Sequence, residues 1–287
     1  MIEFPYPISF DGRVGVLASM HQKETVMAPI LLTEVGLQLQ VASLNTDQFG
    51  TFTREIDRPG TQLEAARLKA KAAIDLTGHS LALASEGTFS PHPLLPYLAC
   101  NRELVILIDA EHGLELVGET VSTQTNFRHQ LVFDLNTALE FAQKAGFPDH
   151  GLVVMSDADR IQSETIVKGI HQEAELIEIV KRTLEQFGQA WLETDMRAMH
   201  NPTRMQVIGD ATRDLVRKLK QRCPQCRYPG FDVVERQGGL PCEWCGSPTD
   251  LTLQAIYGCQ YCGFQRSLLY PDGKTAADPA QCALCNP

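Results

Sequence analysis

Along the first two-thirds of the chain, apolar positions switch repeatedly between a strand-like and a helix-like period. Arg13-Val-Gly-Val-Leu-Ala18 is a short apolar run with β-branched content and predicts a buried strand. Over residues 23–35, Val26, Met27, Ile30 and Leu31 stand at helical spacing, and Gly36 offers a left-handed stop. Pro29 inside this helix predicts a kink. Leu37-Gln-Leu-Gln-Val41 alternates, which predicts a half-buried strand. Thr61-Gln-Leu-Glu64 has the form of a capping box and opens a helix over residues 65–76, closed at Gly78. Leu81-Ala-Leu-Ala84 predicts a third strand.

Pro91, Pro93 and Pro96 mark an irregular stretch. Residues 103–108 and 114–121 predict two strands around the turn Asp109-Ala-Glu-His-Gly113. Further short strands are predicted at 131–133, 151–155 and 189–193. Helices are predicted at 136–145, closed by Gly146, and at 172–187, with Leu176, Ile179, Val180 and Leu184 on one side. Asn201-Pro202 places a capping residue before a proline at the first helical position, and that helix runs to about Arg222. Alternating elements of this kind predict an α/β domain over residues 1–220: a mixed sheet with flanking helices and a central cleft.

The remaining residues, 221–287, change character. Eight of the nine cysteines lie here, as four C-x2-C pairs: Cys223/Cys226, Cys242/Cys245, Cys259/Cys262 and Cys282/Cys285. Two residues between thiolates let a tight turn aim both sulfurs at one ion, and two pairs complete the tetrahedral four-thiolate set of a structural zinc site. Four pairs predict two zinc ions in a small tandem zinc-ribbon module. Such a short, aliphatic-poor segment cannot build a large core, and zinc contributes folding free energy in its place. Pairing in chain order gives two beads on a string, and the loop lengths favour it; alternate pairing gives a cross-brace. Seven aromatic residues from Tyr228 to Tyr270 either pack around the knuckles or stack on bases. The lone Cys100 reads as a small buried residue.

Hydrophobic content of 44% and charged content of 21% over 287 residues belong to a globular protein. The longest aliphatic run, Leu104-Val-Ile-Leu-Ile108, falls far short of the ~20 residues that span a bilayer. Met1-Ile-Glu-Phe-Pro-Tyr-Pro7 lacks a basic and then apolar leader, so a cytoplasmic location with reduced thiols is expected. A net charge of −10 opposes general nucleic-acid binding unless charge is segregated. It is segregated once: residues 197–222 carry Arg197, Arg204, Arg213, Arg217, Lys218, Lys220 and Arg222 against Asp210 and Asp214. That run predicts a solvated helix face or a contact to nucleotide or nucleic acid.

Four segments of the larger domain suit a nucleotide. Lys23 follows the first strand at a helix start, where free N–H groups and the helix dipole favour phosphate. Glu64 and Lys69 share the next helix and could converge on a metal phosphate, although Glu64 is also the capping residue. Glu86, just before Gly87, stands where open α/β sheets bind ligands and could hold Mg²⁺. His200 and Arg204 lie one turn apart at the start of the last helix. Asp109, Glu111 and His112 read as turn residues, and Asp157 and Asp159 as a loop after a strand.

In this order, Met20-His-Gln-Lys23, Glu55-Ile-Asp-Arg-Pro-Gly-Thr61, Glu64-Ala-Ala-Arg-Leu-Lys-Ala70, Ala84-Ser-Glu-Gly87 and the His200-to-Arg204 stretch resemble the inosine-triphosphate-pyrophosphatase-like superfamily of house-cleaning nucleotide pyrophosphatases. That family runs N-x-x-K, E-x-P-x-T-G, E-N-A-x-x-K-A, D-D-S-G and S-H-R. Met20 and Ala65 stand in place of its two asparagines, and Glu86 is one acid where it has two. The resemblance implies an elongated α/β fold with Lys23 and Lys69 facing phosphates, Glu64 and Glu86 near Mg²⁺, and His200 and Arg204 near the base. It implies a hydrolase: Mg²⁺-assisted attack of water on a nucleoside triphosphate with release of pyrophosphate, Glu86, Glu64 and Lys69 being catalytic. Ala84-Ser-Glu-Gly-Thr-Phe89, Thr123-Gln-Thr-Asn-Phe127, His200-Asn-Pro-Thr-Arg204 and the Cys282-Ala-Leu-Cys-Asn-Pro287 tail also resemble an uncharacterised bacterial family with no assigned function. The competing expectation is a non-enzymatic protein whose zinc ribbons dock RNA or a protein partner.

Overall fold

A computed structural model describes residues 8–51, 55–92, 95–157 and 166–286. Asp159, Pro93 and the segment 1–7, all weighed above, lie outside the described residues. The chain divides into two compact units, Phe10–Val216 and Arg217–Pro287 with Ile8 and Ser9.

The larger unit is α/β. Its first sheet has the order β2-β1-β3-β4-β5, with β1 Val14–Ala18, β2 Gln38–Val41, β3 Leu81–Pro91, β4 Ala99–Asp109 and β5 Leu114–Ser122. β1 pairs in parallel with β2 and β3, while β3, β4 and β5 are antiparallel, so the sheet is mixed. The helices α1 Glu24–Val35 and α2 Gln62–Thr77 carry the chain between the parallel strands. Both end at the glycines read from sequence, Gly36 and Gly78, in left-handed conformation. Pro29 lies within α1.

Alanines dominate where α2 meets the sheet. Ala66, Ala70 and Ala73 pack on Ala82 and Ala84 of β3 and on Val16, Leu104 and Ile106. Small side chains on both surfaces let the helix lie close to the strands. On the opposite face, α5 Pro202–Lys220 presses on β5 at Gly118, where a Cβ would lie 2.3 Å from the Ala211 carbonyl oxygen.

A second, antiparallel sheet has the order β6-β9-β7-β8: β6 His129–Val132, β7 Leu152–Met155, β8 Val167–Ile170 and β9 Ala190–Thr194. It buries its apolar face against α3 Leu135–Ala145 and α4 Glu173–Phe187, with Phe141, Leu176, Ile179 and Val180 in the core. The amphipathic stripe of α4 is the one read from its spacing.

Two expectations need correction here. The strand expected to end at Ala84 continues to Pro91, so Glu86 is a mid-strand residue. It continues because β4, which starts at Ala99 rather than near Glu103, offers an antiparallel partner for every residue of β3. Yet β1 ends beside Ala84, so Glu86 still lies beyond the carboxyl end of the parallel strands. The strand β8 had no period-2 signal in its sequence, Val-Lys-Gly-Ile, and was not anticipated.

The smaller unit holds a three-stranded antiparallel meander: β10 Asp232–Gly238, β11 Thr252–Gly258 and β12 Gln265–Leu269. Among the described residues, no helix is long and apolar enough to cross a membrane.

Candidate ligand cleft and metal centres

A cavity of about 370 Å³ opens in the larger unit, in the size range of small-molecule sites. Residues after β1, the middle of β3 and the second sheet line it together, and so does the loop before α2. Of the residues expected from sequence, Lys23, Lys69, Glu86 and Arg204 meet here; Glu64 and His200 are not among the lining residues.

Each position has a local cause. Ala82, Ala84 and Glu86 alternate onto the α2 face of β3, and Lys69 sits on the helix stripe that packs there. Lys69 Nζ and Glu86 Oε1 consequently form an ion pair. Arg58, from the loop before α2, approaches Glu86 Oε2 at 3.6 Å and donates to Thr88 Oγ1 at 2.9 Å and to the Gly87 carbonyl at 2.7 Å. Lys23, at the N-cap of α1, reaches the Ser85 carbonyl with Nζ at 3.0 Å.

On the other face of β3, Gly87 stands opposite Glu103 of β4. The Glu103 carboxylate accepts from Arg204 Nε at 2.7 Å, and both side chains are almost fully buried. Arg204 also donates to the Met196 carbonyl, and its guanidinium lies 5.6 Å from the centre of the Phe89 ring. Phe89 stacks on Phe127 at 5.4 Å, and these two rings form an apolar wall of the cleft. Asn201 caps α5, its Oδ1 accepting from Arg204 N at 2.9 Å.

Lys23, Lys69 and Arg204 are buried beside Glu86 and Glu103, and a third buried carboxylate of the cleft, Asp195, is paired with Arg197. Burial, reinforced by Arg204, holds the Lys23 ammonium down at about 7 despite Glu86 and Glu103. Burial and the neighbouring Lys23 and Arg204 push His21 down to about 3, so its imidazole is neutral. This end of the cleft gathers three buried cations.

Glu64 and His200 are drawn elsewhere. Glu64 Oε2 accepts from Thr61 N at 2.7 Å while Thr61 Oγ1 accepts from Glu64 N, the complete capping box. A carboxylate closing its own helix start cannot also reach the cleft. His200 Nδ1 meets His171 Nε2 at 2.8 Å, and His171 Nδ1 faces the Pro148 carbonyl at 2.7 Å. The carbonyl requires N–H on His171 Nδ1. Burial lowers the His200 pKa.

Several lining residues escaped the sequence reading. Asp195 is buried, bound by Arg197 through both oxygens and by Gly169 N at 3.0 Å. Lys168 pairs with Glu55, and Glu193 Oε1 accepts from Trp191 Nε1 at 2.7 Å. Of these, only Arg197 gave a signal, in the basic run. That run is largely paired: Arg197 with Asp195, Arg204 with Glu103, Arg213 with Asp210 and Arg217 with Asp232.

The donor set of the cleft does not fit a resident Mg²⁺. The ion prefers nearly octahedral oxygen coordination. Here Glu86 is engaged by two cations and Glu64 is in its cap. Among the described residues, no group of three or more metal-binding side chains lies in the cleft. Asp109, Glu111 and His112 do cluster, but Asp109 is bound by Arg13 at 2.5 Å and by His112 at 2.8 Å, as turn residues closing the β4–β5 hairpin.

The cysteines form two groups of four, Cys223, Cys226, Cys259 and Cys262, then Cys242, Cys245, Cys282 and Cys285. The in-order pairing is therefore corrected to alternate pairing. The meander is the reason: the segment before β10 and the β11–β12 turn share one end of the sheet, while the β10–β11 connection and the segment after β12 share the other. Sulfurs from paired knuckles lie 3.7 and 3.6 Å apart in the first group and 3.9 and 3.7 Å in the second. A tetrahedral site with Zn–S of about 2.3 Å has an S–S edge of about 3.8 Å. Both groups can hold zinc.

The four knuckles repeat one turn. The amides of Arg227, Gly246, Gly263 and Asn286 donate to the carbonyls of Cys223, Cys242, Cys259 and Cys282 at 2.8–3.0 Å. Tyr228 stacks on Tyr261 at 4.9 Å, and Phe231 packs near Tyr257 and Phe264, so most aromatics surround the first group. Trp244, by contrast, is 78% exposed on a knuckle of the second.

No curated protein matches the chain. Residues 69–287, from Lys69 through Glu86 and Arg204 to the last cysteine pair, match the family described as Domain of unknown function (DUF6671), and the chain belongs to that family.

Proposed function

We propose that the larger unit is a nucleotide-binding domain whose cleft seats the phosphates of a nucleoside triphosphate against Lys23, Lys69, Arg58 and Arg204. The carrying observation is the gathering of Lys23, Lys69 and Arg204, all buried, on one cavity where an anion could be held. The α1 N-terminus beside it favours the same charge. Phe89 and Phe127 supply a flat apolar wall on which a base can stack. The likeness of the Lys23, Glu64-to-Ala70 and Ala84-to-Gly87 segments to the nucleotide pyrophosphatases supports the same ligand class.

Binding rather than hydrolysis is the activity the geometry favours. Glu86, the residue that would hold a metal or orient water, is engaged by Lys69 and Arg58. In the smaller unit each four-cysteine group holds one structural zinc, and four thiolates leave no open position for a catalytic water.

Calorimetric titration with ATP, GTP, CTP and UTP, and with inorganic tripolyphosphate, tests the reading. One site per chain is expected, lost in Lys69→Gln. Phe127→Ala should weaken the nucleotides and spare tripolyphosphate. Absence of binding by every probe overturns the proposal, and pyrophosphate release from the bound triphosphate overturns the non-hydrolytic part.

A further inference from the structure

We propose that the cleft takes its phosphate ligand as the free polyanion, side-chain cations standing where a divalent ion would otherwise screen the phosphates. The inference rests on the nucleotide reading above and goes beyond it by naming the ionic form of the ligand.

Three observations carry it. First, Glu86 presents each of its oxygens to a cation, Lys69 on Oε1 and Arg58 on Oε2. A divalent ion seated there must displace both and then sit beside the Lys69 ammonium and the Arg58 guanidinium, where like charges repel. Second, although Asp47, Asp57, Glu193 and Asp195 also line the cavity, no group of three or more metal-binding side chains among the described residues gathers there to share such an ion. Glu64 is spent in the α2 cap. Asp195 is spent on Arg197 and the Gly169 amide. Third, Lys23, Lys69, Arg58 and Arg204 already crowd the cavity, and a further cation adds to their mutual repulsion. A phosphate anion relieves it.

The cleft thereby does with fixed side chains what Mg²⁺ does elsewhere. It neutralises adjacent phosphate oxygens, and it holds them in a geometry set by β3, α1 and α2. A magnesium-complexed triphosphate carries two fewer negative charges and gains less from these contacts.

The zinc-loaded full-length chain is titrated by calorimetry with ATP and with inorganic tripolyphosphate, in buffer depleted of divalent ions by resin. A soluble chelator is avoided because it would also compete for zinc. The titration is repeated with saturating Mg²⁺. Binding that is as tight or several-fold tighter without Mg²⁺ supports the proposal. Binding that requires Mg²⁺ overturns it and leaves the nucleotide reading standing. Binding under neither condition overturns both.

Glu86→Gln gives opposite signs. Removing the carboxylate charge releases Lys69 and Arg58, so metal-free affinity rises, on the order of tenfold for one charge removed at close range. Were Glu86 a metal ligand, the same change would weaken binding. Circular dichroism establishes that this variant is folded, and the wild-type titrations need no variant at all.

Discussion

Replacing Gly87 by alanine probes the buried pair at the back of the cleft. Gly87 does not occupy the left-handed region, so alanine fits its backbone and the cost is steric. A Cβ there lies 2.2 Å from Glu103 Oε1 and 2.6 Å from Arg204 Nη2. Relief requires the carboxylate to retreat by about 1 Å, since contacts much under 3.2 Å are repulsive. Retreat breaks the 2.7 Å bond between Glu103 and Arg204, whose side chains are 0% and 1% exposed. Water cannot compensate there, and breaking a buried pair costs about 3–5 kcal/mol. Gly113→Ala is the comparator. It has a φ of 62° and nothing within 4 Å of a Cβ, so its cost is backbone strain alone, about 1–2 kcal/mol. Denaturant unfolding is followed by Trp191 fluorescence in a Trp244→Phe background, so that only the larger unit reports. Gly87→Ala should lose at least ~1 kcal/mol more than Gly113→Ala. On a Glu103→Ala, Arg204→Met background most of its penalty should vanish, because the atoms it strikes are gone. An equal loss for the two glycines, or an unchanged penalty on that background, refutes the argument.

Lys23, at about 7 in the free protein, is partly neutral at physiological pH, and a bound anion favours its charged form. Triphosphate affinity should therefore fall as pH rises above 7, by at most about tenfold per unit, with proton uptake visible as a buffer-dependent binding enthalpy. Lys23→Met should remove that dependence. His21 is held down at about 3 in the fold against 6.5 when unfolded. Its stabilising contribution is full above pH 6.5 and is lost as pH falls from there toward 3. His21→Gln should flatten the stability profile in that window, and parallel wild-type and variant curves would contradict the assignment. For the cysteine groups, Cys226→Ser with Cys259→Ser strikes one site, so metal analysis should still find one zinc per chain. Cys226→Ser with Cys245→Ser strikes both, and none should remain. The reverse pattern would restore in-order pairing.

What was legible in the sequence was local. The capping box at Thr61 and the terminal glycines Gly36, Gly78 and Gly146 signal through neighbours a few residues away, and the structure places each as written. Lys23 and Lys69 were legible as residues of the cleft because a helix start and a helix stripe fix where their side chains go. Contacts between distant residues left no such mark. Glu103 and Arg204 are separated by 101 positions, and neither sits in a motif that names the other. Glu64 shows how local and distant readings compete. The same Glu was wanted by the helix cap three residues back and by a metal across the cleft. A bond within the helix start forms with little chain entropy to overcome, so the cap takes the carboxylate.

The cysteine pairing fails in order for a related reason: it depends on strand parity rather than on loop length. Spacing alone asks which pairs are nearest along the chain. With a strand between each knuckle and the next, however, the chain reverses direction each time. The first and third knuckles then land at one end and the second and fourth at the other. The alternating apolar positions Leu251, Leu253 and Ala255, and the run Phe264 to Leu269, carried that information. β11 is mostly half-buried and β12 is exposed along its length, so burial gives little contrast between faces. Zinc held at both ends of so small a sheet would do the work that the apolar clusters do in the larger unit. Losing either ion should therefore loosen the meander as a whole, because each site staples a strand end that the other cannot reach.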